Sequence, residues 1–381
     1  MSTDDLKTLH VGAPNVGNRD LFNAIVDGVF ERRWFTNNGQ LVQELEARIC
    51  DYLGVKHCIL VCNATVGLQI ACHALELSGE VILPAFTFVA TAHALQWERL
   101  HPVFADVAPG SHNLSVESIE SRITDQTSAI VGVHVWGKPC DTDAIDRLCE
   151  KYGLVSMYDA AHAFGCTHNG KMIGNFGLCE VFSFHATKFF NTFEGGAITT
   201  NDDRLARKIR LMNNFGFEST DTVIHLGTNG KMSEMSAAMG LTNLESLSEF
   251  LAVNQRNYER YRQRLSNQPG ISLFAYDEQN ATNWQYIVIE VDEDEFGTSR
   301  DNLVAHLHSK NVLARRYFYP GCHRMEPYAS LYPRQISRLP HTDQLCSRVI
   351  CLPTGTAVDL ANVDRVCEMI VSLGNDCGNG C

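Results

Sequence analysis

The chain has 381 residues, of which 45% are hydrophobic and 20% are charged, and its formal net charge is −13. This length exceeds the roughly 250 to 300 residues that a single hydrophobic core usually serves, so we expect two domains, and the composition excludes general disorder. The negative charge would repel a phosphate backbone or an anionic lipid surface, which argues against nucleic-acid or membrane binding as the general function.

Targeting segments and metal sites receive no support from the sequence. The N-terminus has no basic region followed by an apolar run, and no stretch approaches about 18 uncharged apolar residues, so we predict a cytoplasmic protein. The 14 cysteines include no Cys-x-x-Cys pair. Many lie in apolar segments, where a reduced thiol packs as a small hydrophobic group. We therefore predict no metal site and no redox pair.

From about residue 55 the sequence alternates short β-branched runs with amphipathic stretches. This alternation predicts an α/β domain with a mainly parallel, seven-stranded sheet. The predicted strands are residues 57–61, 81–83, 102–106, 129–135, 154–158, 180–184 and 197–200, and the predicted helices are 65–77, 87–99, 142–152 and 203–213.

The pattern changes near Leu244. Apolar and aromatic residues then step by threes and fours as far as Leu265, which predicts one long helix with a buried stripe. A strand over 286–291 and helices over 301–309 and 362–373 follow. We predict a large domain over residues 1–245, including an N-terminal arm, and a smaller α+β domain over residues 246–381.

Three predicted strands end in polar residues, and ligands of open α/β sheets bind beyond the carboxyl ends of strands. The first end carries Asn63, Ala64 and Thr65 at the start of a helix. Free backbone N–H groups at that place suit a phosphate. Asn63 acting only as a helix cap is the commoner alternative.

The second strand end carries Asp159, followed by His162. An ionised carboxylate there could pair with the protonated ring nitrogen of a pyridine cofactor. An Asp that only stabilises a turn, and a histidine with a purely structural role, are the alternatives that this segment leaves open.

The third strand end delivers Ser183, then Lys188, then a glycine pair at Gly195 and Gly196. This order suits a hydroxyl that binds phosphate and a lysine that forms a Schiff base with a carbonyl group. A lone lysine is usually a solvated surface residue, but Lys188 stands among phenylalanines in the sequence. Each of the three segments alone fits either a structural role or a cofactor site. The three together fit a cofactor site much more specifically.

A superficial P-loop pattern, from Gly165 to Lys171, lacks the hydroxyl residue that would hold magnesium, because Met172 occupies that position. Asn169 and Gly170 instead predict a tight hairpin turn.

The chain resembles the DegT-type nucleotide-sugar aminotransferases, which are pyridoxal-phosphate (PLP) enzymes of fold type I. The resemblance extends from Phe35 to about Leu373. Its most specific motifs are Pro84 to Thr91, Val133 to Gly137, Asp159 to Ala163, and Ser183 to Lys188 with Glu194-Gly195-Gly196.

The resemblance implies a homodimer with shared active sites, pyridoxal 5'-phosphate as cofactor, and an aspartate-aminotransferase-like large domain. Lys188 would carry the cofactor and shuttle protons, and with Asp159 and His162 it would form the catalytic set. The implied cofactor contacts are Asp159 to the pyridine nitrogen, Phe88 stacked on the ring, His162 near the ring oxygen, Ser183 with the Ala64 and Thr65 backbone at the phosphate, and Asn229 at the phosphate of the neighbouring subunit.

The chain departs from the family at two places. It has Asn63-Ala64-Thr65 where Ser-Gly-Thr is common, and Asn229-Gly230-Lys231 where Asn-Tyr-Arg is usual. Relatives that dehydrate sugars replace the cofactor lysine with histidine, so the presence of Lys188 favours amino transfer.

For the substrate, the resemblance implies a keto sugar linked to a nucleoside diphosphate, with L-glutamate as amino donor. The His185-x-x-Lys188 spacing resembles members that aminate carbon 4, which predicts a dTDP-4-keto-6-deoxyglucose 4-aminotransferase. Three alternatives remain: a 3-aminotransferase, a non-catalytic protein that keeps the cofactor pocket, and another PLP activity such as a lyase or decarboxylase.

The candidate substrate ligands are His185, Lys231, Arg315, Arg316, Tyr319 and His323. The charged ones are equally well explained as solvated surface residues.

Overall fold

The computed structural model describes the backbone of residues 8–378 and the side chains of residues 8–336 and 338–375. The chain begins with β1 (Leu9–His10), α1 (Arg19–Arg32) and α2 (Gln40–Leu53). The sequence predictions begin near residue 55 and omit these helices, although Leu41, Leu45 and Ile49 are buried along α2 at helical spacing.

Within residues 8–378, seven strands form one large sheet in the order β2-β10-β9-β6-β5-β3-β4. Strand β10 is antiparallel to both of its neighbours, and the other pairs are parallel, which confirms the predicted mainly parallel sheet. The strands are β2 (His57–Val61), β3 (Glu80–Pro84), β4 (His101–Ala105), β5 (Thr127–Val133), β6 (Val155–Asp159), β9 (Glu180–Ser183) and β10 (Gly196–Thr200), and the short pair β7 (Thr167–His168) and β8 (Lys171–Met172) lies outside the sheet.

Helices between these strands follow the predicted alternation. They are α3 (Ala64–Ala74), α4 (Val89–Trp97), α5 (Val116–Glu120), α6 (Thr142–Tyr152) and α7 (Asp203–Asn213). Strand β5 ends at Val133, two residues earlier than predicted. A 3-10 turn over Val135–Gly137 follows, in which Trp136 has a φ of 62°, and this left-handed conformation cannot continue a strand.

The large sheet is buried on both faces. Leu68 of α3 and Ile209 of α7 pack against one face together with Val181 and Ile198 of the sheet. On the other face, Leu45 of α2 joins Phe182 of β9 and Phe184 in a second cluster. Because β2, β5, β6 and β9 run in the same direction, their carboxyl ends meet at one edge. This edge carries the three predicted polar segments.

The predicted turn at Asn169-Gly170 is confirmed. Strands β7 and β8 pair antiparallel, with Thr167 opposite Met172. Asn169 and Gly170 have φ values of 51° and 76°, which is the left-handed pair that a two-residue hairpin of type I′ requires.

The long helix predicted from Leu244 is interrupted. The hairpin β11 (Phe217–Ser219) and β12 (Thr222–Val223) leads to α8 (Glu234–Glu245), and α9 (Leu247–Leu265) follows after a break at Ser246. Ser246 has φ −97° and ψ 5°, which depart from helical values and interrupt the helix at this residue. Within α9, the predicted stripe of Asn254, Tyr258 and Tyr261 is buried.

The C-terminal part contains the three-stranded antiparallel sheet β13-β14-β16. Strand β1 pairs in parallel with β15, so the first described residues lie against this part of the chain. The predicted domain boundary after residue 245 stays a prediction. The remaining elements are β13 (Ile271–Leu273), β14 (Ile287–Val291), α10 (Glu293–Phe296), α11 (Arg300–Ser309), β15 (Val312–Leu313), α12 (Tyr328–Leu331), α13 (Pro340–Arg348), β16 (Val349–Leu352) and α14 (Leu360–Gly378).

Among the residues described, no helix combines the length and apolar character needed to cross a lipid bilayer.

Candidate active site

Lys188 lies just beyond β9, in a turn that its backbone N–H closes onto the His185 carbonyl at 2.8 Å. Its side chain is directed inward, and Nζ donates a hydrogen bond to the Tyr286 hydroxyl at 3.1 Å. Burial lowers the pKa of the Lys188 amine to about 8, and the nearby Asp159 opposes this shift. A substantial neutral fraction near neutral pH makes this amine a better nucleophile than a surface lysine.

Asp159 is the last residue of β6 and is only 5% exposed. One carboxylate oxygen accepts from the Thr91 hydroxyl at 2.8 Å, and the other accepts from the Ala161 backbone N–H at 3.1 Å. Burial raises the pKa of Asp159, while these two hydrogen bonds and Lys188 act in the opposite direction. Within the described residues Asp159 forms no ion pair, so capacity for a cationic partner remains.

His162 is buried beside Asp159, and its tautomer follows from one hydrogen bond. The backbone N–H of Trp136 donates to His162 Nδ1 at 3.2 Å. Because a backbone N–H is always a donor, Nδ1 is the acceptor, and the proton of the neutral ring is on Nε2. Burial, and then the charge of Lys188, hold the pKa of His162 well below its usual value. His162 is therefore a neutral hydrogen-bond donor through Nε2.

The N-terminus of α3 forms a cradle for an anion. Asn63 caps the helix, because its side chain accepts from the Val66 N–H at 2.9 Å. The hydrogen bonds among the described residues leave the Ala64 and Thr65 N–H groups without an acceptor. Gly196 lies beside them, and a Cβ there would come within 2.9 Å of the Ala64 nitrogen. Ser183 pairs with Gly196 across β9 and β10, so its side chain borders the same space.

Phe88 is the residue before α4, and its ring is 54% exposed. The same turn carries Thr91, which binds Asp159. An exposed aromatic ring next to a buried carboxylate provides an apolar surface on which a planar ring could stack.

The other predicted residues lie around this cluster. His185 is half-exposed and its Nδ1 is 2.8 Å from the Thr187 hydroxyl. Asn229 is exposed and accepts from Lys231 Nζ at 2.7 Å, in a segment that bonds to Cys62 next to α3. Neither the His185 ring nor the Asn229 side chain forms a hydrogen bond with Lys188 Nζ among the described residues, where Nζ bonds to Tyr286.

The segment 315–319 borders the site through Phe318, whose ring is parallel to that of His162 at 5.9 Å. Arg316 bonds to Asp301 at 2.9 Å and lies over the ring of Tyr319, whereas Arg315 lies over Tyr317.

The structure does not bring His323 into the cluster. Its side chain is 1% exposed, and Nε2 is 3.0 Å from Asp343 of α13. The side chain is buried and directed toward α13, and the predicted substrate contact of His323 stays a prediction.

Sequence reasoning missed Thr91, Trp136 and Tyr286 as site residues. Thr91 and Trp136 fall within segments that carry the family resemblance, but nothing in their residue type pointed to a role. Tyr286 is 98 positions from Lys188 in the chain, and no local pattern links the two.

The residues present fit pyridoxal phosphate. Asp159 is a buried carboxylate with room for a protonated ring nitrogen, and the amine of Lys188 is desolvated. The α3 cradle combines unpaired backbone N–H groups with the absence of a side chain at Gly196, which leaves space for phosphate oxygens.

Comparisons with known proteins agree with this geometry. The model of the DegT/DnrJ/EryC1/StrS aminotransferase family matches residues 18–371. A Shigella dysenteriae protein named dTDP-4-amino-4,6-dideoxy-D-glucose transaminase is 40% identical over 347 residues, which cover 91% of this chain and 94% of the relative. An Escherichia coli protein of the same name is 36% identical over 366 residues, covering 96% and 98%.

The crystal structure of DesI in the presence of its TDP-sugar product is similar to this chain over almost all of its length. The TM-score is 0.92 and the identity is 43%, and the match covers 97% of this chain and 93% of DesI.

Proposed function

The chain belongs to the DegT/DnrJ/EryC1/StrS aminotransferase family, and from this membership we propose that it transfers an amino group from L-glutamate to carbon 4 of dTDP-4-keto-6-deoxy-D-glucose. The product is dTDP-4-amino-4,6-dideoxy-D-glucose. The relatives named for this amino sugar support the choice of substrate, because they align with nearly the whole chain. A cytoplasmic location is part of the same proposal.

One observation carries the proposal: a desolvated lysine with a lowered pKa lies near a buried carboxylate and a buried, neutral histidine at the carboxyl edge of a mainly parallel sheet. The cofactor of this family is pyridoxal phosphate. When bound, it supplies a conjugated ring that withdraws electrons from the carbon next to the transferred nitrogen.

Each residue of the cluster has a role in the proposal. Asp159 holds the proton on the ring nitrogen, because an ionised carboxylate favours the protonated neighbour. Lys188 would hold the cofactor through its amine, and when Nζ is free it would take up a proton and give it back during amino transfer. A pKa near the working pH suits both the uptake and the release of that proton.

The remaining residues bind and orient. The Ala64 and Thr65 N–H groups and the Ser183 hydroxyl hold the phosphate at the positive end of the α3 dipole. His162 would donate from Nε2–H to an oxygen of the cofactor, and Phe88 would provide an apolar surface for its ring.

The substrate diphosphate requires cations, although the whole protein is acidic. Arg315 is the strongest candidate, because it forms no ion pair with a described residue, whereas Arg316 is partly neutralised by Asp301. We include Lys231, Tyr319 and His185 in the same surface on the basis of the family resemblance.

We further propose a homodimer in which Asn229 reaches the partner's phosphate. Exposed apolar side chains gather around the β11–β12 hairpin in the same segment as Asn229, and such a patch on a charged protein is typical of an interface. Its members are Phe215, Phe217, Val223, Ile224 and Leu226.

The test is to incubate the purified protein with glutamate and dTDP-4-keto-6-deoxyglucose, a dTDP-3-keto sugar and a GDP-linked keto sugar. We expect 2-oxoglutarate and a product aminated at carbon 4, identified by mass spectrometry and NMR. Amination at carbon 3, or only of the GDP sugar, would contradict the proposed substrate. Cofactor binding without conversion by glutamate would indicate a non-catalytic protein.

A further inference from the structure

Tyr286 comes from the C-terminal part of the chain, immediately before β14, yet its side chain reaches the large sheet. It is 8% exposed, and its hydroxyl accepts from Lys188 Nζ at 3.1 Å. Its ring packs against His162 with 4.6 Å between ring centroids, and against Trp136 with 5.0 Å. The tyrosine therefore contacts the lysine and the histidine of the proposed site at the same time.

The segment around Tyr286 is fastened to both active-site loops. Asn283 Nδ2 donates to the carbonyl of His162 at 2.8 Å. Gln285 Oε1 accepts from the backbone N–H of Phe189, the residue after Lys188, at 2.9 Å. Tyr276 holds the Tyr286 carbonyl at 2.8 Å. Bonds on three sides leave the Tyr286 hydroxyl little freedom to move away from Lys188.

We propose that Tyr286 is a positioning residue, whose hydroxyl accepts a hydrogen bond from the Lys188 amine and holds that amine in place whenever it is not bonded to the cofactor. This inference rests on the proposed function, in which Lys188 alternates between carrying the cofactor and moving a proton. A free lysine has four rotatable bonds, so an amine without a partner would spend less time within reach of the reacting carbon.

The electrostatics agree with this geometry. The titratable groups that face Lys188 in the described chain are Asp159 from β6, His162 from the loop after it, and Tyr286. Behind Tyr286 stand Tyr317 and Cys351, and burial together with these groups raises the pKa of Tyr286 well above its usual value, so its hydroxyl stays protonated. A neutral oxygen accepts more strongly from an ammonium than from an amine, so it favours the protonated lysine.

The experiment measures the pKa of Lys188 in the cofactor-free protein, by competitive acetylation across a pH series and mass spectrometry of the peptide that contains it. Tyr286→Phe keeps the ring contacts with His162 and Trp136 and removes only the hydroxyl. We expect the Lys188 pKa to fall by roughly one unit, a tenfold shift in protonation. In the cofactor-loaded variant, kcat should fall with little change in the KM for glutamate.

The matched control is Tyr258→Phe, which removes another buried hydroxyl, one that donates to the Phe274 carbonyl at 3.1 Å and not to Lys188. It should leave the Lys188 pKa unchanged. An unchanged pKa in Tyr286→Phe, or an equal shift in both variants, overturns the inference. The labelling uses neither cofactor nor sugar, so failure of every sugar to accept an amino group would overturn the proposed function without altering this result.

Discussion

At the scale of single residues, burial changes what ordinary side chains do. Lys188 and Asp159 would be a charged lysine and a charged aspartate in water. In this site burial pushes the pKa of the lysine down and that of the aspartate up, so each is drawn toward its neutral form. A cationic ring beside Asp159 would lower the pKa of this carboxylate again. Because Asp159 forms no ion pair with a described residue, the site favours a protonated pyridine.

Lys188→Ala should abolish covalent attachment of the cofactor. Borohydride reduction of the reconstituted protein, followed by intact mass measurement, should show the added mass in the unaltered chain and not in Lys188→Ala. Lys171→Ala, which removes an exposed lysine that bonds to the Asn175 carbonyl, should keep the adduct. A reduced adduct on the Lys188→Ala protein would refute the assignment.

Asp159→Asn should preserve cofactor binding but slow the half-reaction with glutamate on the order of 10²-fold or more, because the ring nitrogen loses its charged partner. Stopped-flow absorbance at saturating glutamate measures this rate. Asp146→Asn is the control, since the carboxylate of Asp146 on α6 accepts from the Ser156 and Tyr158 hydroxyls and from no other described side chain. Equal rates in the unaltered protein and Asp159→Asn would count against the proposed role.

At the scale of elements, the site is built from strand ends and one helix start. Asn63 caps α3, as the commoner alternative predicted. Its side chain accepts from the Val66 N–H, so the Ala64 and Thr65 N–H groups at the start of the helix remain available. The capping and anion-binding interpretations of Asn63 are therefore compatible. The close approach of β10 through Gly196 is what encloses these N–H groups.

Gly196→Ala should weaken binding of pyridoxal phosphate at least about tenfold, because the new methyl group would lie 2.9 Å from the Ala64 nitrogen and 2.7 Å from the Phe182 carbonyl oxygen. Equilibrium titration of the cofactor-free protein measures the Kd. At Gly28 of α1 an added Cβ meets only the flexible Arg32 side chain, so Gly28→Ala should bind normally. Unchanged affinity in Gly196→Ala would remove the phosphate from this cradle.

At the scale of the whole molecule, two parts of the chain complete one site. The C-terminal part supplies Tyr286, and Phe318 adds a ring parallel to His162. The N-terminal β1 pairs with β15 in return. In the homodimer that we propose, the exposed hairpin β11–β12 would lie at the interface with the second subunit.

Leu226→Asp should convert the proposed dimer into a monomer, because it places a charge in the apolar patch where Leu226 is 76% exposed. Cofactor affinity should fall with it, since the partner's phosphate ligand would be lost. Sedimentation at micromolar concentration measures the mass. Trp97→Asp, at an equally exposed apolar position on α4, should remain dimeric. A dimer that survives Leu226→Asp, or a monomeric unaltered chain, would contradict the proposed interface.

The sequence alone predicted the seven strands of the sheet, the hairpin at Asn169-Gly170 and the candidate residues Lys188, Asp159 and Ser183. Strand periodicity, turn chemistry and polar residues after apolar runs are local patterns, so one segment is enough to reveal them. Only the tertiary structure decided that α9 begins after a break at Ser246, that His323 is directed toward α13, and that Tyr286 meets Lys188. Those outcomes depend on which distant segments pack together, and the contact between two residues 98 positions apart leaves no local pattern in the chain.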